Sequence, residues 1–148
     1  MKLVLGIDPG TIRTGFAIVG VEKDKFSVVK FGVLSALTNQ PLEQRLLSIG
    51  KEIENIYKQH SISETAIEQV FFGKNPDSAF KLGHIFGLCV YQAMRAGSLV
   101  FPYAARYIKK SVTGSGNADK QAVQTFVLNI FGIPPLSLIH ISEPTRPY

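Results

Sequence analysis

The nine residues LVLGIDPGT, positions 3–11, decide how this chain is read. Leu3 to Ile7 is short, apolar and branched, which predicts a buried strand. Asp8-Pro9-Gly10 is a strong turn signal and ends it. A carboxylate therefore stands where a rigid strand stops. An Asp before Pro-Gly commonly does no more than form an Asx-type turn. The other reading is a carboxylate held at a sheet edge, able to bind a cation.

On the C-terminal side of that turn, residues 16–21 and 25–32 predict two further strands, separated by the polar run EKDK. Three neighbouring strands with short links predict an antiparallel meander. Residues 41–60 carry Leu42, Leu46, Ile49, Ile53, Ile56 and Tyr57 at helical spacing. TAIEQVF, 65–71, predicts a strand running into the loop FGKNP. Residues 77–96 predict a long helix capped at Asp77 and ended by Gly97. SLVFPY, 98–103, is another strand. A short basic helix over 104–111 and a loop TGSGN lead to a helix over 118–131, which Gly132, Pro134 and Pro135 break. The order β-β-β-α-β-α-β-α-α predicts an α/β fold: a mixed five-stranded sheet with helices on both faces. There is no internal repeat and no linker, so one domain is expected.

The composition fits. The chain has 148 residues, 45% hydrophobic and 18% charged, which describes a globular domain rather than a disordered one. No run is long and apolar enough to span a bilayer, and the N-terminus reads as a strand rather than a signal peptide. The single cysteine, Cys89, excludes an internal disulfide and fits a reducing cytoplasm; its apolar helical setting predicts packing, not catalysis. The net charge of +5 leans towards a polyanionic partner, provided the basic residues gather around a site.

A second carboxylate lies in TAIEQVF, where Glu68 follows Ile67. A Glu within a buried strand is costly unless paired or metal-bound; on a half-exposed strand it simply faces outward. Two carboxylates on neighbouring strands can share Mg²⁺, which takes hard oxygen ligands and keeps waters. Two such ions about 4 Å apart can drive phosphodiester hydrolysis.

Three motifs in order, LGIDPGTIRTGFAIV, AIEQVFFGKNPDSAFKLG and YAARYIKKSVTGSGNADKQAVQ, resemble the RuvC family of Holliday-junction resolvases, within the RNase H-like nuclease superfamily. The resemblance runs from about residue 3 to Pro135. GIDPGT alone also resembles the phosphate loop of actin-like and Hsp70-like ATPases, but those enzymes need two such domains. The family resemblance implies a homodimeric, Mg²⁺-dependent endodeoxyribonuclease making paired, symmetric nicks in four-way junction DNA, with the RuvA–RuvB branch-migration complex as partner. It implies that Asp8 and Glu68 are catalytic carboxylates and metal ligands, and that Phe71 stacks on bases at the opened junction centre. The alternatives are a junction-binding protein without cleavage and a YqgF-like nuclease acting on RNA.

Lys74, Lys81, Arg106, Lys109, Lys110 and Lys120 follow the acidic motifs. Any one of them reads as ordinary solvated surface. The resemblance places Lys109 and Lys120 near the scissile phosphate and makes Lys74 a further DNA contact. Backbone amides of TGSGN and the helix start after it could face phosphates; Arg13, in the first turn, could also reach DNA. On the long helix, Gly83 and Gly87 expose backbone on one face, for packing on the domain's own sheet or, by resemblance, across a dimer two-fold.

The last stretch, FGIPPLSLIHISEPTRPY, does not suit that core. The family's site is completed by one more helix carrying two further ligands. Counting from Pro134, those positions fall on His140 and Glu143, both able to bind metal. Pro144 and Pro147 follow at once, where a helix could not continue. LSLIHISEPTR also resembles a reading frame of a sequencing adapter. The expectation is a nuclease domain over 1–135 lacking its final catalytic helix, with a non-native tail over 136–148. With Asp8 and Glu68 alone, the two-metal site lacks one wall, and weak metal binding and poor cleavage are expected.

Overall fold

A computed structural model describes residues 1–71 and 73–134. The elements of the first compact unit, Met1–Ala104, are β1 (Lys2–Asp8), β2 (Arg13–Glu22), β3 (Lys25–Ser35), α1 (Leu42–Gln59), β4 (Ile62–Glu68), α2 (Pro76–Arg95) and β5 (Leu99–Tyr103). The second unit begins at Ala105 and contains α3 (Ala105–Thr113) and α4 (Lys120–Phe131).

The sheet order is β3-β2-β1-β4-β5. β1, β2 and β3 form the expected antiparallel meander, while β1–β4 and β4–β5 are parallel. The expected mixed five-stranded sheet is therefore present. Alternation along the strands sends Leu5, Ile7, Ile18 and Ile67 to one face. There they join Ile49, Ile53 and Ile56 of α1 and Ile85 and Cys89 of α2 in one core cluster. Burying each such isoleucine contributes about 1.5–3 kcal/mol. Within this core, Thr65 is fully buried and its hydroxyl is satisfied by Tyr57 Oη and Ser98 Oγ, both at 2.8 Å. The two helices approach at Gly50, where a Cβ would stand 3.2 Å from the Leu88 side chain.

Two local expectations are corrected. The fourth strand is Ile62–Glu68, not 65–71. The polar alternation of Ile62-Ser63-Glu64-Thr65 is a half-buried strand, and the apolar Val70 and Phe71 lie beyond the sheet. Glu68 is consequently the strand's last residue, half-buried, rather than an interior one. The long helix is capped by Asn75, whose side chain accepts from the amides of Asp77 (3.1 Å) and Ser78 (3.3 Å), not by Asp77. Pro76 then occupies the first turn, where its missing N–H costs nothing.

Candidate active site

β1 and β4 run parallel with Leu5 opposite Thr65, Gly6 opposite Ala66 and Ile7 opposite Ile67. One residue further on, each strand ends in a carboxylate: Asp8 and Glu68. Ile7 and Ile67 point into the core, so Asp8 and Glu68 point to the opposite face. Adjacent strands are about 4.8 Å apart. The two carboxylates are thus neighbours on one face, at the carboxyl ends of the two parallel central strands, a recurrent ligand position in open α/β sheets. Opposite Asp8 on β2 is Gly15, and opposite Glu68 on β5 is Tyr103. The same face carries the exposed Leu99 (60%) and Phe101 (40%) of β5. Hard oxygen donors side by side suit Mg²⁺. Among the described residues, no three His, Cys, Asp or Glu side chains gather into a metal-binding group. His140 and Glu143 lie outside the described residues, as does the expected tail.

The turn after Asp8 is held firmly. Buried Thr14 accepts from the Gly10 amide at 3.2 Å and donates to the Gly10 carbonyl at 2.8 Å. A Cβ on Gly10 would fall 2.1 Å from the Arg13 carbonyl oxygen, so only glycine fits. Sequence reasoning did not single out Arg45 of α1, whose Nη1 donates to Thr11 Oγ1 at 3.3 Å. An Arg in the first turns of an amphipathic helix looks like ordinary solvated surface, so nothing in the sequence pointed to it.

After Glu68 the chain leaves the sheet, the Gln69 amide donating to the Tyr103 carbonyl at 2.8 Å. Phe71 follows with 62% of its surface exposed, and Lys74 is exposed in the same loop. Beside Phe71 lies an open cavity of about 430 Å³ lined by Gln69, Val70, Ala79, Gly83 and Phe86. On α2, Gly83 and Gly87 are exposed, and a Cβ at either would meet nothing within 4 Å. They do not pack on the domain's own sheet. His84 between them is exposed, its Nδ1 2.8 Å from the Phe80 carbonyl. Lys81 forms an ion pair with Asp77 at 2.8 Å.

In the second unit, Lys109 is half-buried on α3 and Lys120 is exposed as the first residue of α4. Asp119 caps α4, accepting from the Ala122 amide at 2.7 Å. The loop amides expected to face phosphates are largely engaged internally. Gly114 N–H donates to the Lys110 carbonyl, Ser115 N–H to Thr113 Oγ1 and Asn117 N–H to Ser115 Oγ. Close approach of Arg106 explains Gly116, since a Cβ there would lie 2.8 Å from Arg106 Cγ. Two groups of the core titrate far from their ordinary values. Burial pushes the Cys89 thiol up to about 12, and burial likewise raises the Tyr57 phenol to about 12 despite its bond to Thr65.

A mixed 3-2-1-4-5 sheet with adjacent carboxylates ending its central parallel strands defines an RNase H-like nuclease fold. A family model described as "Crossover junction endodeoxyribonuclease RuvC" matches residues 4–143. Proteins of that name from Bdellovibrio bacteriovorus and Maricaulis maris are similar to the chain. The first is 36% identical over 95% of this chain and 84% of its own length. The second is 41% identical over 84% of this chain and 75% of its own length. The solved structure of Thermus thermophilus RuvC in complex with Holliday junction substrate superposes with a TM-score of 0.84 at 25% identity, covering 98% of this chain and 86% of that one. The chain belongs to the RuvC family of crossover junction endodeoxyribonucleases, which are nucleases and hydrolases.

Proposed function

We propose that this protein resolves four-way DNA junctions by paired, symmetric, Mg²⁺-dependent nicks, in recombination and repair. The observation that carries this is the register placing Asp8 and Glu68 side by side on one face at the ends of β1 and β4. These two side chains are the catalytic carboxylates and would hold Mg²⁺. When bound, Mg²⁺ supplies Lewis-acid stabilisation of charge developing on the phosphoryl oxygens and makes water a competent nucleophile. The protein's own share is to hold both carboxylates pre-aimed by rigid strands and clear of the core.

Substrate choice follows from the surroundings. Phe71, largely exposed on a loop that leaves the sheet beside Glu68, stacks on bases at the opened junction; such stacking is worth about 1–3 kcal/mol per base and tolerates any sequence. Lys74, Lys109 and Lys120 neutralise backbone phosphates. A homodimer supplies two sites for two nicks. Its contact is the face of α2 on which Gly83 and Gly87 open the backbone, flanked by Phe80 (67% exposed), Tyr91 (60%) and Met94 (62%). The thiol of Cys89, buried and single, fits work in the cytoplasm, where the RuvA–RuvB complex is the expected partner.

The test uses labelled four-way junction, linear duplex and structured RNA, each with Mg²⁺ and with EDTA. Symmetric nicks in the junction alone, slow for a metal site that rests on Asp8 and Glu68 and lost in EDTA, are expected. Asp8→Asn and Glu68→Gln each abolish nicking and retain junction binding. Junction binding that survives EDTA without any nicks shows a binding-only protein, and cleavage of the RNA shows a YqgF-like activity instead. Loss of binding in either variant contradicts a purely catalytic role.

A further inference from the structure

Three sets of contacts hold the turn that follows Asp8. Thr14 closes it from within, through both of its bonds to Gly10. The Ala36 amide donates to the Ile12 carbonyl at 2.8 Å and ties it to the chain after β3. The third contact comes from outside the sheet: Arg45, thirty-four residues away on α1, donates from Nη1 to Thr11 Oγ1.

This arginine is poorly accounted for by stability. Its Nε is buried without a hydrogen-bond partner, as is the Oε1 of Gln40 just before the helix. Among the described residues it forms no ion pair. A guanidinium with a buried, unsatisfied Nε and no carboxylate raises the free energy of the fold. Its side-chain bond goes to the residue three positions beyond a candidate catalytic carboxylate. The bond also has a direction. Arg45 occupies a lone pair of the Thr11 hydroxyl, which leaves the hydroxyl proton free to donate away from the helix. A hydroxyl that accepts from a cation is a stronger donor.

We propose that Arg45 is a positioning residue: through Thr11 it fixes the turn that carries Asp8 and sets the Thr11 hydroxyl to donate to a DNA backbone phosphate beside the carboxylates. The positive charge of Arg45, in no ion pair among the described residues, is balanced when that phosphate arrives. This assignment rests on the reading of Asp8 as a catalytic carboxylate. Arg45 itself acts through Thr11 and touches no reacting atom.

The experiment compares wild type, Arg45→Ala, Arg45→Lys, Thr11→Val, the Arg45→Ala/Thr11→Val double variant and Asp8→Asn. The first readout needs no cleavage: amide hydrogen exchange in the free protein, followed at Gly10, Thr11 and Ile12 and in the strand β1, together with the thermal midpoint. Exchange at the turn is expected to rise about tenfold in Arg45→Ala and Thr11→Val, with β1 unchanged, and to recover in part in Arg45→Lys. The second is the junction dissociation constant against the nicking rate at saturating junction. The rate is expected to fall tenfold or more with affinity changed less than threefold, and the double variant to be no worse than the worse single one. Unaltered turn exchange in both single variants overturns the proposal. So does a fall confined to affinity, or additive losses in the double variant. Thr11→Val keeps the side-chain volume, so it still decides the matter if Arg45→Ala unfolds. If Asp8→Asn continues to nick, the carboxylate assignment fails, while the exchange data still report on Arg45.

Discussion

Cys89 and Tyr57 show how single residues of the core govern stability at alkaline pH. Both are neutral when protonated, and burial raises both pKa values, from 9.0 and 10.0 to about 12. A group whose value is higher in the folded state contributes stability in full below its unfolded value. That contribution is lost as pH rises through the folded one. The urea midpoint should therefore hold between pH 7 and 8.5 and fall as pH climbs from about 9 towards 12. Cys89→Ala should lower the midpoint at neutral pH, by about 1 kcal/mol for the lost packing, but flatten the alkaline decline. A decline as steep as that of wild type would show that the thiol does not drive it. The same burial keeps Cys89 inert to thiol reagents at pH 8 until the protein opens.

At the scale of elements, α2 has a core side and a bare side. Ala79, Ile85, Cys89 and Ala93 are buried, while Gly83 and Gly87 face open space. Replacing Gly83 by Glu improves helix propensity by about 0.5 kcal/mol and puts a charge on the proposed two-fold contact. The thermal midpoint should hold or rise while sedimentation shifts from dimer to monomer. An unchanged dimer would move the interface elsewhere. The elements were largely readable in advance because apolar period and punctuation agreed over most of the chain. β4 was not, since Gln69-Val70-Phe71 continues a strand-like run past the point where pairing stops. What ends β4 at Glu68 is its partners: β1 turns at Asp8 and β5 stops at Tyr103, facts of sheet register that no local pattern carries. The helix cap was misread for a different reason. Asn75-Pro76 carries the signal of a cap followed by proline in the first turn, but Asp77 is itself a good capping residue and competes with it. Asp8 stands out in the sequence at a strand end marked by Pro-Gly, and Glu68 as a carboxylate within a strand-like apolar run, although its place at the strand end is not legible there. Arg45 was missed because its importance depends on a contact thirty-four residues away.

For the molecule as a whole, charge decides how it meets DNA. The net charge is +5, and the lysines assigned to phosphate contact come from both compact units: Lys74 from the first, Lys109 and Lys120 from the second. Each phosphate neutralised releases condensed counterions, so the logarithm of junction affinity should fall linearly with the logarithm of salt, by about 0.9 per contact on duplex arms. Lys109→Ala should weaken binding to every junction sequence alike and reduce the slope by about 1. Phe71→Ala should instead leave the slope unchanged and weaken binding of the open junction, because stacking releases no ions. Measuring affinity for one junction from 50 to 200 mM salt with these two variants separates the contributions. An unchanged slope in Lys109→Ala would remove that lysine from the DNA contact, whereas a reduced slope in Phe71→Ala would mean that the aromatic loop moves Lys74 with it.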